Sequence, residues 1–209
     1  MTTTTKSTSY AITREPKYTT KTAIENYLMT SIAGSFDSQI NDWIYSIEAY
    51  IEGITGRKFL ADDTATRRSF NSEGEYDVLI DDCVEVTKVE TGTDTDDLNE
   101  VESDEYYVGP ENAVECHKPI NVLEMISGVF PHARRSVHVT ARWGYSDIVP
   151  DDIRLAATIL VAGIINYSNK ADGEIKTMTV GRYSVTYKDD KGWEDAENVR
   201  RILERYKAL

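Results

Sequence analysis

The chain has little of what most function classes require. It holds only two cysteines, Cys83 and Cys116, with no C-x-x-C spacing. That excludes a disulfide-stapled scaffold and fits a reducing compartment. Basic residues are also scarce: 23 Lys and Arg stand against 36 Asp and Glu, a formal charge of −13. Nucleic-acid binding through phosphate neutralisation needs the opposite balance, as does docking on anionic lipid. An acidic wall does suit a passage through which DNA must slide. The first twenty residues, MTTTTKSTSYAITREPKYTT, lack the apolar core of a signal peptide. Without a secretory signal, Asn166-Tyr167-Ser168 reads as a chance glycosylation match.

Long apolar runs are missing too. The most apolar stretch, VPDDIRLAATILVAGIINY, places Arg154 in its first turn. Its apolar run, Ile153 to Tyr167, is shorter than the roughly 20 residues a bilayer demands. Pro150 suits a first helical position, and Asp151 and Asp152 complement the positive end of the helix dipole. Its apolar residues are not confined to one stripe, so it reads as a helix covered on several sides.

No catalytic signature is present: no G-x-S-x-G, no phosphate-binding glycine loop and no H-E-x-x-H. His117, His132 and His138 do not have zinc-site spacing, and the alternation around His138 puts it on an exposed strand face. Asp94, Asp96 and Glu105 fit positions 1, 3 and 12 of a calcium loop, but Leu98 and Asn99 stand where an oxygen ligand and a glycine are needed. The expectation is no catalytic residue, no metal and no cofactor.

What is present organises the chain. Residues 1–20, rich in Thr and Ser, read as a flexible arm. Ile24, Tyr27 and Leu28 have helical spacing. Ile40, Trp43, Ile44, Ile47, Ile51 and Ile54 follow the i, i+3, i+4 rule, with Gly56 at the C-terminal cap. Short strand-like runs follow over 76–80, 84–90, 105–108, 121–126 and 136–142. In S-V-H-V-T-A-R, Val137, Val139 and Ala141 share one face. The acidic run containing Asp94, Asp96, Asp97, Glu100 and Glu102 reads as a solvated tip. EIKTMTVGRYSVTYKDD reads as two strands. A last helix from about Trp193 carries its acids first and its bases last, with an apolar stripe of Trp193, Ala196, Val199, Leu203 and Tyr206.

Two motifs then stand out: the isoleucine-lined helix closing on Thr55-Gly56-Arg57-Lys58-Phe59, and Gly144-Tyr145 followed by Val149-Pro150-Asp151-Asp152-Ile153. In this order, with a C-terminal helix, they resemble the head–tail connector (head-completion or adaptor) proteins of tailed bacteriophages. The likeness covers about residues 20–60 and 136–209. It implies an α+β, mainly helical core, with antiparallel helices around the apolar central helix. Residues 21–209 would form the connector domain, with a β-rich insertion over 61–142.

The resemblance further implies a structural virion protein, assembled in the host cytoplasm. Such proteins form a ring of about twelve copies beneath the portal protein, extend the DNA channel and offer a tail or stopper protein its attachment surface. Cyclic closure uses two different faces of each subunit. Trp193, Val199, Arg200, Arg201, Leu203, Arg205 and Tyr206 become portal-docking candidates. Trp43, Ile47, Ile51, Ile159 and Ile164 become subunit-packing candidates, and the acidic tip a lumen or partner contact. Two alternatives belong to other classes. One is a β-rich virion accessory module recognising another virion protein or a glycan; the other is an acidic metal-dependent hydrolase.

Overall fold

The computed structural model describes residues 15–93, 98–113, 115–168, 176–180, 183–187 and 190–208. Four helices are described. Helix α1 (Lys21–Leu28) starts at Thr20, whose hydroxyl accepts the Ala23 N–H at 3.2 Å, so the cap satisfies one orphan donor. Helix α2 (Asp37–Thr55) buries Ile40, Ile44, Ile47 and Ile51. It stops at Gly56, whose φ of +69° needs a residue without Cβ, and the Gly56 N–H donates to the Glu52 carbonyl. Helix α3 (Asp151–Ser168) is the expected central helix, with Ile153, Ala156, Ala157, Leu160 and Val161 all buried. Helix α4 (Asp190–Arg205) adds Val199 and Leu203 to the same apolar cluster, which also takes in Tyr18 and Phe59.

Between α2 and α3 lies the larger part of the molecule. Strands β1 (Thr66–Ser72), β2 (Asp77–Thr91), β3 (Asn99–Val101), β4 (Tyr106–Gly109), β5 (Ile120–Met125) and β6 (Ala133–Trp143) form one antiparallel sheet in the order β1-β6-β2-β5-β4, with β3 paired to β2. Strand β2 bends. Its first residues pair with β5 and its later ones with β6, with register irregularities between Leu79 and Cys83 and again before Lys88. Such bulges let one strand serve two parts of a curled sheet. The enclosed side chains, among them Val78, Ile80, Val89, Leu123, Phe130, Val137, Val139 and Trp143, make a second apolar core. Strands β7 (Lys176–Val180) and β8 (Tyr183–Tyr187) pair antiparallel separately.

This corrects the expectation of a mainly helical core. The six-stranded antiparallel sheet is the dominant element, and it closes a core of its own beside the helices. Apolar residues at alternate positions of the middle segment have one another as partners and do not depend on the helices for cover.

His138 is a second correction. It is 4% exposed. In central strand β6 it stands between Ser69 of β1 and Glu90 of β2, whose side chains flank it on the same face. His138 Nε2 lies 3.0 Å from the Gly92 carbonyl and Nδ1 2.9 Å from the Ser69 hydroxyl. A carbonyl only accepts, so in the neutral ring Nε2–H donates to Gly92 and Nδ1 accepts from Ser69.

Candidate functional site

The two motifs behind the resemblance meet in space, at the joint between the helical layer and the sheet. The chain leaving α2 runs beside the chain leaving β6. The Tyr145 N–H donates to the Lys58 carbonyl at 2.8 Å, the Ser146 N–H to the Phe59 carbonyl, and Leu60 bridges Ser146. Gly144 makes this approach possible: a Cβ there would lie 2.4 Å from the Ala61 Cα, and its φ is +143°. Arg57 pins the joint. Its guanidinium reaches both Asp82 oxygens at 2.6 Å and, through Nε, the Tyr206 carbonyl at 2.8 Å. Both partners of this ion pair are largely buried, so each charge depends on the other for solvation.

Aromatic rings fill the same place. Phe59, Tyr145 and Tyr206 contact one another at centroid separations of 5.3–5.6 Å, and Tyr18 meets Phe59 edge-on. The Tyr206 hydroxyl donates to the Asp152 carboxylate at 2.9 Å. Burial, and then this hydrogen bond, push its ionisation well above the ordinary tyrosine range. Thus Asp152, read from sequence as a helix-start charge, also ties the end of α4 to the start of α3. On the sheet side, burial and then the adjoining Asp82 raise the Cys83 thiol to about 12. That is a structural thiol, not a reactive one.

The predicted surface residues separate into two groups. In α4, Val199 and Leu203 are buried in their own subunit, and Tyr206 belongs to the aromatic joint. Arg200, Arg201 and Arg205 are exposed, in ion pairs with Glu197, Glu204 and Asp152. The Trp193 side chain lies outside the described residues. Of the packing candidates, Ile47, Ile51, Ile159 and Ile164 are buried in the helical cluster, while Trp43 is half-buried and lines a groove with Phe36, Ile32 and Ile165. In the acidic run, Asp94, Asp96 and Asp97 lie outside the described residues. Glu100 pairs with Lys88 at 3.2 Å and Glu102 is exposed.

Sequence reasoning missed a second groove, lined by Tyr27, Leu155, Ile159, Ile202 and the arginines 201 and 205. Leu155 is 47% exposed there. The unstriped apolar character of α3 was the available signal. Among the described residues no His, Cys, Asp or Glu side chains converge as a metal site. No described helix is long and apolar enough to cross a membrane.

An antiparallel sheet with its own core is joined to a layer of helices by a buried ion pair and an aromatic cluster. The family model for head completion proteins matches residues 17–209, and the chain belongs to that family. Membership makes it a structural component of a phage-like virion and not an enzyme. Solved structures share the fold. A chain in the neck of an empty GTA particle computed with C6 symmetry superposes with a TM-score of 0.56 at 16% identity, covering 90% of this chain and 88% of that one. A chain in the neck of a native GTA particle computed with C12 symmetry gives 0.51 at 15% identity, with 90% and 91% covered. A chain in the virion of a native gene transfer agent particle gives 0.51 at 18%, covering 90% and 88%. No curated protein sequence matches the chain.

Proposed function

We propose that this chain forms a closed ring in the neck of a phage-like particle, between portal and tail. The ring extends the DNA channel and presents the surface on which a tail or stopper protein seats. The observation that carries this reading is the head-completion family match over residues 17–209. Structural neighbours drawn from necks computed with C6 and C12 symmetry support it. A ring of about twelve copies is the corresponding closed assembly, built from heterologous contacts.

Within that reading, the exposed arginines of α4 (Arg200, Arg201 and Arg205) face the portal and trade their intrachain carboxylates for portal ones. Trp43, with Phe36 beside it, is the helical-layer residue left to meet a neighbouring copy. The segment 61–142 forms an inserted wing, and its acidic tip faces the lumen or the tail-side partner. The acidic balance keeps DNA from adhering as it passes.

A second reading, a β-rich accessory module, draws on one observation. Leu79 and Tyr107, 74% and 63% exposed, stand on the outside of the sheet as apolar contact points. Mass photometry of the purified chain, alone and mixed with its portal, separates the two. A ring-sized species, or a portal complex gaining about twelve copies, bears out the connector. A monomer that ignores the portal turns the reading towards the module.

A further inference from the structure

Among the described residues the sheet leaves open edges at β1, at β4 and at the three-residue β3. An open edge is a row of unpaired N–H and C=O groups, ready to accept another strand. The two longer edges, β1 and β4, differ in charge. Strand β1 carries Arg67 and Arg68, ion-paired with Glu90 and Asp81. Strand β4 is surrounded by carboxylates: Glu102, Asp104 and Glu105 precede it, Glu111 follows it, and Glu124 stands opposite Tyr107 on β5. None of these five is ion-paired among the described residues. Tyr107 and Val108 of this edge are both exposed.

The complement lies in the chain's own beginning. Residues 1–14 carry Lys6 and Arg14 and no acid. Residues 8–14, T-S-Y-A-I-T-R, are rich in strand-favouring types, with Tyr10 and Ile12 at alternate positions. The segment leaves the described fold close to a firm anchor. The Tyr18 N–H donates to Glu48 at 2.9 Å, and the Tyr18 hydroxyl accepts the Phe59 N–H and donates to Glu52. Fully extended, fourteen residues span roughly 45 Å, enough to cross onto an adjacent subunit.

We propose that residues 8–14 of one copy add as a strand to the β4 edge of the next copy, lacing the ring together. This rests on the ring proposed above. Main-chain hydrogen bonds supply the affinity, and Tyr10 and Ile12, on one face of the arm, lie beside Val108. Charge chooses the edge: the basic arm is drawn to the carboxylates around β4, whereas on β1 Arg67 and Arg68 already hold Glu90 and Asp81. The contact is heterologous, arm to edge, so it repeats around a closed ring and leaves no arm unpaired.

The test uses full-length chains in a Cys116→Ser background, because Cys116 is exposed and Cys83 is buried. One tagged copy carries Ile12→Cys, or Tyr10→Cys on the same side of the arm. A differently tagged copy carries Val108→Cys. The two are mixed, assembled and mildly oxidised. A disulfide between the two tags is expected in the ring fraction. It is lost when the second copy also carries Glu102→Lys and Glu111→Lys, two exposed positions whose reversal leaves the fold intact. A ring that forms without the intermolecular disulfide overturns the arm and leaves the ring standing. A disulfide found only when both cysteines share one chain overturns the exchange between copies. A disulfide between copies without a ring sustains the arm and sinks the ring. Neither ring nor disulfide sinks both.

Discussion

The helical layer and the sheet have cores of similar apolar make-up, but the chain closes them in opposite ways. The helical cluster gathers residues from Tyr18 to Leu203, with the whole sheet intervening between α2 and α3. The sheet's core comes from one continuous stretch, from Val78 to Trp143. The sheet can therefore form from local chain, whereas the helical layer must wait for both ends to return. Loop closure makes the second arrangement the costlier one to nucleate. What couples them is small: Arg57 with Asp82, Gly144 against Ala61, and the aromatic cluster at Tyr206.

The largest test of this difference is truncation in each core. Leu160→Ala in α3 and Leu123→Ala in β5 each remove a side chain with 0% exposure. Each should cost about 2–5 kcal/mol in chemical denaturation. Hydrogen exchange then distinguishes the layers. Leu123→Ala should speed exchange across β2, β5 and β6 while leaving α2 and α3 nearly unchanged, because the sheet has its own core. Uniform acceleration would make the molecule one cooperative unit.

The joint comes next. Gly144→Ala forces a methyl onto the Ala61 backbone at a positive φ and should cost about 3 kcal/mol. Arg57→Ala leaves Asp82 largely buried without its cation; about 3 kcal/mol is expected, the low end for a buried pair that loses one partner. Its signature is separation of the two layers. Far-ultraviolet transitions of helix and sheet should lie further apart in the variant than in the parent.

How far these layers could be read from the sequence depended on what each residue's neighbours had to be. Helix α2 was legible because Ile40, Ile44, Ile47 and Ile51 mark a face by spacing alone and Gly56 marks its end. Strand β1, T-R-R-S-F-N-S, was not, because a polar strand carries little periodicity and owes its place to pairing with β6. Strand β2 was read as two runs, 76–80 and 84–90, because the acidic pair Asp81-Asp82 interrupts the strand-favouring pattern. In the fold these residues stay in strand, and Asp82 is held by Arg57. His138 was misplaced because alternation identifies one buried face and says nothing of what covers the other. The same limit applies to α4. Its stripe of Val199, Leu203 and Tyr206 was visible, but a stripe does not say which chain will bury it.

Thiol chemistry sharpens the comparison without disturbing either layer. Cys116 is exposed and Cys83 buried in the sheet core, its thiol pushed up to about 12. A disulfide reagent at neutral pH should label Cys116 at once and Cys83 only as the sheet opens. The Cys83 rate then reports opening of the sheet separately from the helices.

The smallest effect falls on the helical side of the joint. Tyr206→Phe removes the hydrogen bond to Asp152 but keeps the ring against Phe59 and Tyr145. Hydrogen bonds to charged groups contribute about 1.5–3 kcal/mol when well buried; with a half-buried hydroxyl, about 1 kcal/mol is expected. The dependence on pH identifies the cause. Folding raises the Tyr206 ionisation above the ordinary tyrosine value of 10.0, so its contribution is fully present below pH 10 and declines as pH rises beyond it. The gap between parent and variant should be constant through neutral pH and shrink in alkali. A gap that persists unchanged above pH 10 would mean that the proton the hydroxyl donates to Asp152 is not its cause.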